Sequence, residues 1–194
     1  KYLTNSLKYN PDIIFTPECS NIITGDNKHL KNVTTTQENC PLLYECMQFA
    51  KKHNKFISIG SLLLKKNNSL KLLNRSFFIN NIGKIICYYD KMHLFDVKIN
   101  QNEIYYESKS FFKGNKIILT NSPWGKIGLT ICYDIRFPTL YRNLIKLGCK
   151  MILIPAAFTV PTGQAHWQVL LQSRAIENAS FIIAAAQCGK HHGS

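Results

Sequence analysis

The second half of the chain constrains the fold most, because short apolar runs there alternate with amphipathic stretches punctuated by Pro and Gly. Residues 117–119 and 127–131 read as strands around a Pro-Trp-Gly turn. A helix follows from Pro138, a residue suited to a first helical turn, with Leu140, Leu144, Ile145 and Leu147 at its apolar positions and Gly148 as its stop. Residues 151–154 form the next strand. Residues 164–178 form a helix that buries Trp167, Leu170, Leu171 and Ile176, and residues 181–186 close as a strand. Elements in this order argue for an α/β layered domain.

The first half fits the same plan less regularly. Residues 12–15 are a short β-branched run ended by Thr16-Pro17-Glu18, since proline cannot continue a central strand. Residues 21–37 are polar and read as loop. From Pro41, the residues Leu42, Leu43, Cys46, Met47 and Ala50 fall on one helical face. Residues 56–64 read as a buried strand, and residues 75–79 and 84–89 flank a hairpin turn at Asn80-Asn81-Ile82-Gly83. Residues 91–113 form a long irregular segment, a length more often functional than idle. No repeat or long linker divides the chain, so residues 1–194 are expected to form one domain.

Composition excludes several function classes. With 24 Lys and Arg against 11 Asp and Glu, the formal charge is +13. The lysines are scattered among asparagines in turn-like stretches, not gathered in a stripe, so a solvated surface is expected and no nucleic-acid partner. Steering of a small anionic substrate remains open. No apolar run approaches the ~20 residues of a membrane helix, and no membrane partner is expected. Seven cysteines at irregular spacings, without a CxxC pair, favour buried reduced thiols and a reducing compartment, cytoplasmic with the mitochondrion as alternative. Cys188, His191 and His192 lack a matching ligand set, so no metal is expected there, and the chemistry implied by the resemblance below needs no organic cofactor.

The segment Gly128-Leu-Thr-Ile-Cys-Tyr-Asp-Ile-Arg-Phe-Pro138 carries the chemistry. An apolar strand runs straight into Cys132, then into a polar turn and a proline-initiated helix. That places a thiol at a strand-to-turn elbow beside exposed backbone N–H groups. Position alone does not separate this from a structural buried cysteine, the commoner case for a cysteine that ends a strand. The segment resembles the nucleophile region of the nitrilase superfamily of carbon–nitrogen hydrolases. Phe15-Thr-Pro-Glu18 is similar to the Phe-Pro-Glu that supplies that family's base, and Tyr89-Asp-Lys-Met-His-Leu-Phe95 to its Tyr-Arg-Lys-x-His-Leu-Phe.

The resemblance implies an αββα sandwich, pairing into a four-layer α-β-β-α dimer or higher homo-oligomer. It implies Cys132 as nucleophile, Glu18 as base and Lys91 as oxyanion stabiliser, helped by the backbone N–H of Tyr133. Glu107, in Tyr-Tyr-Glu-Ser, resembles the second glutamate beside the family's lysine; a loop carboxylate paired with Lys109 is the plainer reading, and Glu103 is also available. His93 could touch substrate or serve as a hydrogen-bonded structural histidine. Arg136 could hold a substrate carboxylate or bridge to Asp134 or Glu177. Phe158 belongs to the expected substrate wall.

Residues 156–167, 171–178 and 184–192 are similar to the Nit branch, and closer to its amidases of deaminated glutathione than to the ω-amidases. The implied partner is a small anionic amide. Asp90 and Thr139 depart from the family's usual arginine and glutamate. The resemblance also implies family segments before the first motif and after the last, so the sandwich is expected to be incomplete at both ends.

Overall fold

The computed structural model describes residues 2–98, 101 and 104–191; His192 and Glu103 lie outside them. In chain order the elements begin with α1 (Tyr2–Ser6), β1 (Ile13–Phe15), α2 (Asn27–Val33), α3 (Pro41–His53), β2 (Phe56–Lys65), β3 (Leu72–Ile79) and β4 (Ile85–Asp90). A small pair, β5 (Asp96–Lys98) and β6 (Ile104–Tyr106), precedes α4 (Glu107–Ser110). Next come β7 (Ile118–Ser122), β8 (Gly125–Leu129), a 3-10 turn at Cys132–Arg136, α5 (Pro138–Lys146) and β9 (Met151–Leu153). The remaining elements are α6 (Val160–Thr162), a π-helical turn at Gly163–Trp167, α7 (Gln168–Asn178) and β10 (Phe181–Ile183).

Two four-stranded sheets form, in the orders β1-β2-β3-β4 and β10-β9-β8-β7. Period-two alternation decides which side chains face which layer. Phe77 and Ile79 pack outward with Leu43, Cys46 and Ala50 of α3, while Phe78 between them points inward. In the second sheet Ile127, Leu129, Ile131 and Leu153 meet Phe78 and Tyr89 across the middle. Ile152 and Ile154 face the other way, onto Leu140 and Leu144 of α5 and Leu170 and Leu171 of α7. The layers are therefore helix, sheet, sheet, helix: an αββα sandwich. Buried on both faces, β2 carries an unbroken apolar and small-residue run from Ile57 to Leu64.

The topology gathers three strand ends. β1 runs parallel to β2, which is antiparallel to β3, which is antiparallel to β4. β1 and β4 therefore point the same way, and β8 runs parallel to β9 in the facing sheet. Glu18, Lys91 and Cys132 each follow the carboxyl end of one of these strands, where loops leave room for a site.

Several expectations are corrected. Within residues 21–37, expected as loop, Asn27–Val33 is helical because the Asp26 side chain accepts from the N–H groups of Lys28 and His29 and Leu30 finds a buried seat. The irregular segment 91–113 contains the β5–β6 ladder and α4. Ile176 is 79% exposed, and the inward positions of α7 belong to Arg174 and Asn178. Arg174 can face inward because its Nε donates to the Ile135 carbonyl at 2.9 Å and its Nη1 to Glu177 at 2.6 Å. The expected strand at 181–186 stops at Ile183, and Ala186 adds only an isolated bridge to Ala156. All seven cysteines are free, with Cys188 exposed and Cys87 only half-buried. No helix among the described residues is long and apolar enough to cross a membrane.

Phe78→Ala should lower the unfolding free energy by about 3–5 kcal/mol, as large-to-small changes between packed layers do. Leu70→Ala, at a side chain 83% exposed, should stay within about 0.5 kcal/mol. Urea denaturation of the two variants checks both; equal losses would mean the sheets do not pack as described.

Candidate active site

Glu18 is held by its surroundings before any substrate arrives. β1 ends at Phe15, and Thr16 and Pro17 cross a bulge in β2 where pairing with β3 shifts between Ile59 and Leu62. A Cβ on Gly60 would sit 2.1 Å from the Thr16 carbonyl oxygen and 2.4 Å from that of Pro17, so only glycine permits the crossing. Ser61 fastens the chain beyond, its N–H donating to the Pro17 carbonyl and its Oγ accepting from the Cys19 N–H. The buried carboxylate of Glu18 then accepts from Asn74 Nδ2 at 2.9 Å and Lys91 Nζ at 3.0 Å through Oε1, and from the Ala157 N–H at 2.8 Å through Oε2.

Lys91 follows β4, and its backbone is clamped on both sides. Its N–H donates to the Asn74 carbonyl, and its carbonyl accepts from the N–H of Gly114. A Cβ at Gly114 would stand 2.1 Å from the Asp90 carbonyl oxygen. The Lys91 ammonium is 3.0 Å from Glu18 Oε1 and 3.0 Å from each oxygen of Glu107. Glu107, in the first turn of α4, also accepts the Phe95 N–H through Oε2 at 2.6 Å.

Cys132 sits at the elbow with φ 48°, a left-handed conformation that costs a non-glycine residue roughly 1–2 kcal/mol. Its N–H donates to the Pro155 carbonyl at 2.8 Å, and the 3-10 turn that follows leaves Tyr133 with a first-turn N–H lacking an acceptor within the turn.

The charges fall into place around that geometry. Burial pushes the Glu18 carboxyl up, but the Lys91 ammonium and hydrogen bonds from Cys132, Lys91 and Asn74 outweigh it and hold the group below its ordinary value. Burial pushes the Lys91 ammonium down, and the carboxylates of Glu18 and Glu107 more than reverse this, leaving it well above the ordinary lysine range. Burial, reinforced by the Glu18 charge, pushes the Cys132 thiol well up despite Lys91. At neutral pH the site is thus a neutral thiol beside an ionised carboxylate and an ammonium.

These residues open on a cavity of about 480 Å³ whose wall includes Cys19, Thr24, Asn74, Phe95, Tyr105, Phe111, Tyr133, Phe158 and Thr159. Among the described lining residues, Lys91 carries the one cationic side chain. Residues 1–194 match the carbon-nitrogen hydrolase family. The chain belongs to that family.

Similar proteins extend the likeness. The chain is 40% identical over 183 residues to a deaminated glutathione amidase of Dictyostelium discoideum, covering 91% of this chain and 62% of the relative. It is 39% identical to a probable hydrolase, nit2, of Schizosaccharomyces pombe, covering 92% of this chain and 65% of that one. Among solved structures, the NitFhit protein of Caenorhabditis elegans superposes with a TM-score of 0.90 at 33% identity, over 98% of this chain and 46% of its own. Nit3 of Saccharomyces cerevisiae, a member of branch 10 of the nitrilase superfamily, gives 0.83 at 25%, over 97% and 68%. The chain thus spans under two thirds of the length of these first two relatives.

The structure brings Glu18, Lys91, Glu107, Cys132, Tyr133 and Phe158 to one cavity. Arg136 stands outside the lining, with its guanidinium 5.9 Å from the Tyr133 ring and 5.8 Å from that of Phe158, and its Nη2 3.1 Å from His166 Nδ1. Its alternative partners are taken: Asp134 by other donors and Glu177 by Arg174. His93 does not line this cavity. It stacks on Phe137 at 3.7 Å and bonds Asp134 at 2.7 Å, which corrects the substrate-contact expectation toward the structural one. Glu107 is bound to Lys91, and Lys109 lies instead over the Tyr106 ring. Asp90 forms a bidentate pair with Arg75, and Thr139 is exposed on α5. Among the described residues no group of His, Cys, Asp and Glu could hold a metal ion. Sequence reasoning missed Asn74, Asp134 and the Ala157 N–H. Asn74, followed by Arg75 and Ser76, and Asp134, in a polar turn, carry no signal in the sequence that sets them apart.

The sign of the Glu18 shift sets a pH prediction. With its folded value below the ordinary 4.5, Glu18 contributes stability that is present above that value and lost as pH falls through the folded one. Glu18→Gln should therefore show a flatter decline in unfolding free energy than wild type between pH 5 and about pH 3. Parallel slopes in denaturant titrations would remove Glu18 from the ionised cluster.

Proposed function

We propose that this chain is the catalytic core of a cysteine amidohydrolase acting on deaminated glutathione through a thioester. The observation that carries the reading is the buried Cys132 thiol, neutral at rest, beside an ionised Glu18 that is itself held by Lys91. A thiol is a weak nucleophile until its proton is taken, and a carboxylate in contact with it can take the proton as sulfur attacks.

Sγ of Cys132 adds to the amide carbon while its proton passes to Glu18. The oxygen, now negative, is met by the Lys91 ammonium and the Tyr133 N–H, preorganised donors in a site largely closed to water. Glu18 returns the proton to the departing nitrogen, the C–N bond breaks, and an acyl thioester remains. Water then adds with Glu18 again as base, releasing the acid and restoring the thiol. Glu107 keeps the lysine charged and aimed. With deaminated glutathione the products are 2-oxoglutarate and cysteinylglycine. Support for this substrate comes from the relatives bearing that name at 35–40% identity. No step calls on a metal or organic cofactor.

Arg136 is the proposed anchor for a substrate carboxylate at the cavity rim. Among the described residues its guanidinium has no carboxylate partner, and it lies near two rings of the wall. A homodimer is the proposed assembly, supported by the exposed apolar side chains Val169 and Ile176 on α7 and Phe181 beside it.

The deciding assay offers the full-length protein deaminated glutathione and 2-oxoglutaramate in parallel, with Cys132→Ala as control. Preferential cleavage of the first, abolished in the variant, supports the reading; preference for the second moves the protein to the ω-amidases. No turnover of either would sink the amidase assignment. Arg136→Ala should raise KM about tenfold or more while kcat holds, the pattern of lost uniform binding. An unchanged KM would place the carboxylate elsewhere.

A further inference from the structure

Asp134 is fully buried and plays no part in the chemistry above. Its two oxygens take four hydrogen bonds. Oδ2 accepts from the Ile131 N–H at 2.8 Å and the Tyr89 hydroxyl at 2.8 Å; Oδ1 lies 3.0 Å from the His93 N–H and 2.7 Å from His93 Nδ1. The Tyr89 hydroxyl in turn accepts from the Met92 N–H at 3.2 Å.

One of these bonds is local. A carboxylate three residues after Ile131 caps the turn that follows β8, and the Ile131 bond alone would do that. The other three cross to the opposite sheet. They all come from residues 89–93, the segment in which Lys91 is the central residue. Asp134 is two positions after the nucleophile, so a single buried carboxylate joins the elbow of Cys132 to the turn of Lys91. Besides this carboxylate, those segments meet through apolar contacts, such as the stack of His93 on Phe137, and through the reacting groups themselves, which must be free to exchange protons.

Resting on the assignment of Cys132 as nucleophile, we propose that Asp134 is a positioning residue for the reaction. It ties the Cys132 elbow to the Lys91 turn, so that thiol, Glu18 carboxylate and ammonium keep one geometry through attack and hydrolysis. His93, stacked on Phe137, completes the clamp from the surface side. The left-handed backbone at Cys132 gives this tether work to do, since an untied elbow relaxes toward ordinary φ.

Two variants test the clamp from its two ends. In Asp134→Asn an amide N–H faces the Ile131 N–H, which breaks the elbow side while an oxygen remains for His93. In Tyr89→Phe the hydroxyl that reaches from β4 is removed and the carboxylate is untouched. Both are made in full-length protein carrying Cys188→Ser, because Cys188 is the exposed competing thiol. The probe is iodoacetamide, with alkylation at Cys132 read by mass spectrometry from pH 5.5 to 8, alongside kcat, KM and Tm.

The wild-type rate should be nearly flat with pH, because Glu18 takes the proton throughout that range. In either variant the rate at pH 6 should fall at least about tenfold and then climb with pH, up to tenfold per unit, as an unassisted thiol's does. kcat should fall about a hundredfold, as for a reacting group displaced by about 1 Å, with KM little changed. A merely structural aspartate would lower Tm and leave the flat profile and kcat of the folded enzyme intact; that result in Tyr89→Phe overturns the proposal even if Asp134→Asn does not fold. If wild-type Cys132 reacts no faster than buried Cys46, the nucleophile assignment itself fails, a separate outcome from a failed clamp.

Discussion

The Lys91 ammonium is the interaction on which the rest of the structure depends. It is buried between the ends of the two sheets, and an unpaired ammonium there would cost several kcal/mol. Glu18 and Glu107 bring it back into balance, each 3.0 Å away and each tied down by a backbone N–H, from Ala157 and Phe95 respectively. Ala157 lies beyond β9 in the second sheet and Phe95 beyond β4 in the first. The cluster is stable only if both sheets present their strand ends at the correct separation, which is what the core of Phe78, Tyr89, Ile127 and Leu129 sets. Packing and chemistry are one constraint here, and loss of either layer would strand charges.

The same cluster explains why the thiol rests protonated. Two carboxylates and one ammonium leave a net negative charge beside Cys132, so a thiolate would add like charge to a buried site. A resting thiolate–ammonium pair, as in low-pKa cysteines, is thereby disfavoured. On the proposed reading Glu18 waits ionised as the base beside a neutral nucleophile, and the proton moves only as sulfur attacks. Away from the site, burial pushes the Cys46 thiol up to about 12 and that of Cys87 up to about 11.

Much of this was legible in the sequence, for identifiable reasons. The alternation Ile127, Leu129, Ile131 marks a strand with one face inward, and Pro138 and Gly148 bracket the helix after it. Cys132 ends one such run, but position alone does not mark it, Glu18 or Lys91 as reactive; the likeness of their three motifs to the nitrilase superfamily does. Asn74 and Asp134 were not legible as site residues, since their partners lie up to 56 residues away and only the pairing of strands brings them together. Ile176, expected inside as an apolar residue, stands five residues after Leu171, roughly 140° round the regular helix and on its open side. The helix at Asn27–Val33 escaped notice because its polar sequence buries a single apolar side chain, Leu30.

The electrostatics also bear on how a substrate enters. The surface is strongly basic, +13 formally, whereas the cavity floor holds Glu18 and Glu107 against Lys91 alone. An anionic amide is drawn toward such a surface at long range. At short range a substrate carboxylate placed beside the two glutamates would be repelled, and the one lysine is already paired with both. On the proposed reading the amide therefore enters first and the carboxylate stays near Arg136, whose Nη2 lies 3.1 Å from His166 Nδ1. The charge that attracts the ligand and the charge that performs the reaction are opposite in sign. Their separation along the cavity orients the substrate, and a neutral amide of the same length would lose that orientation.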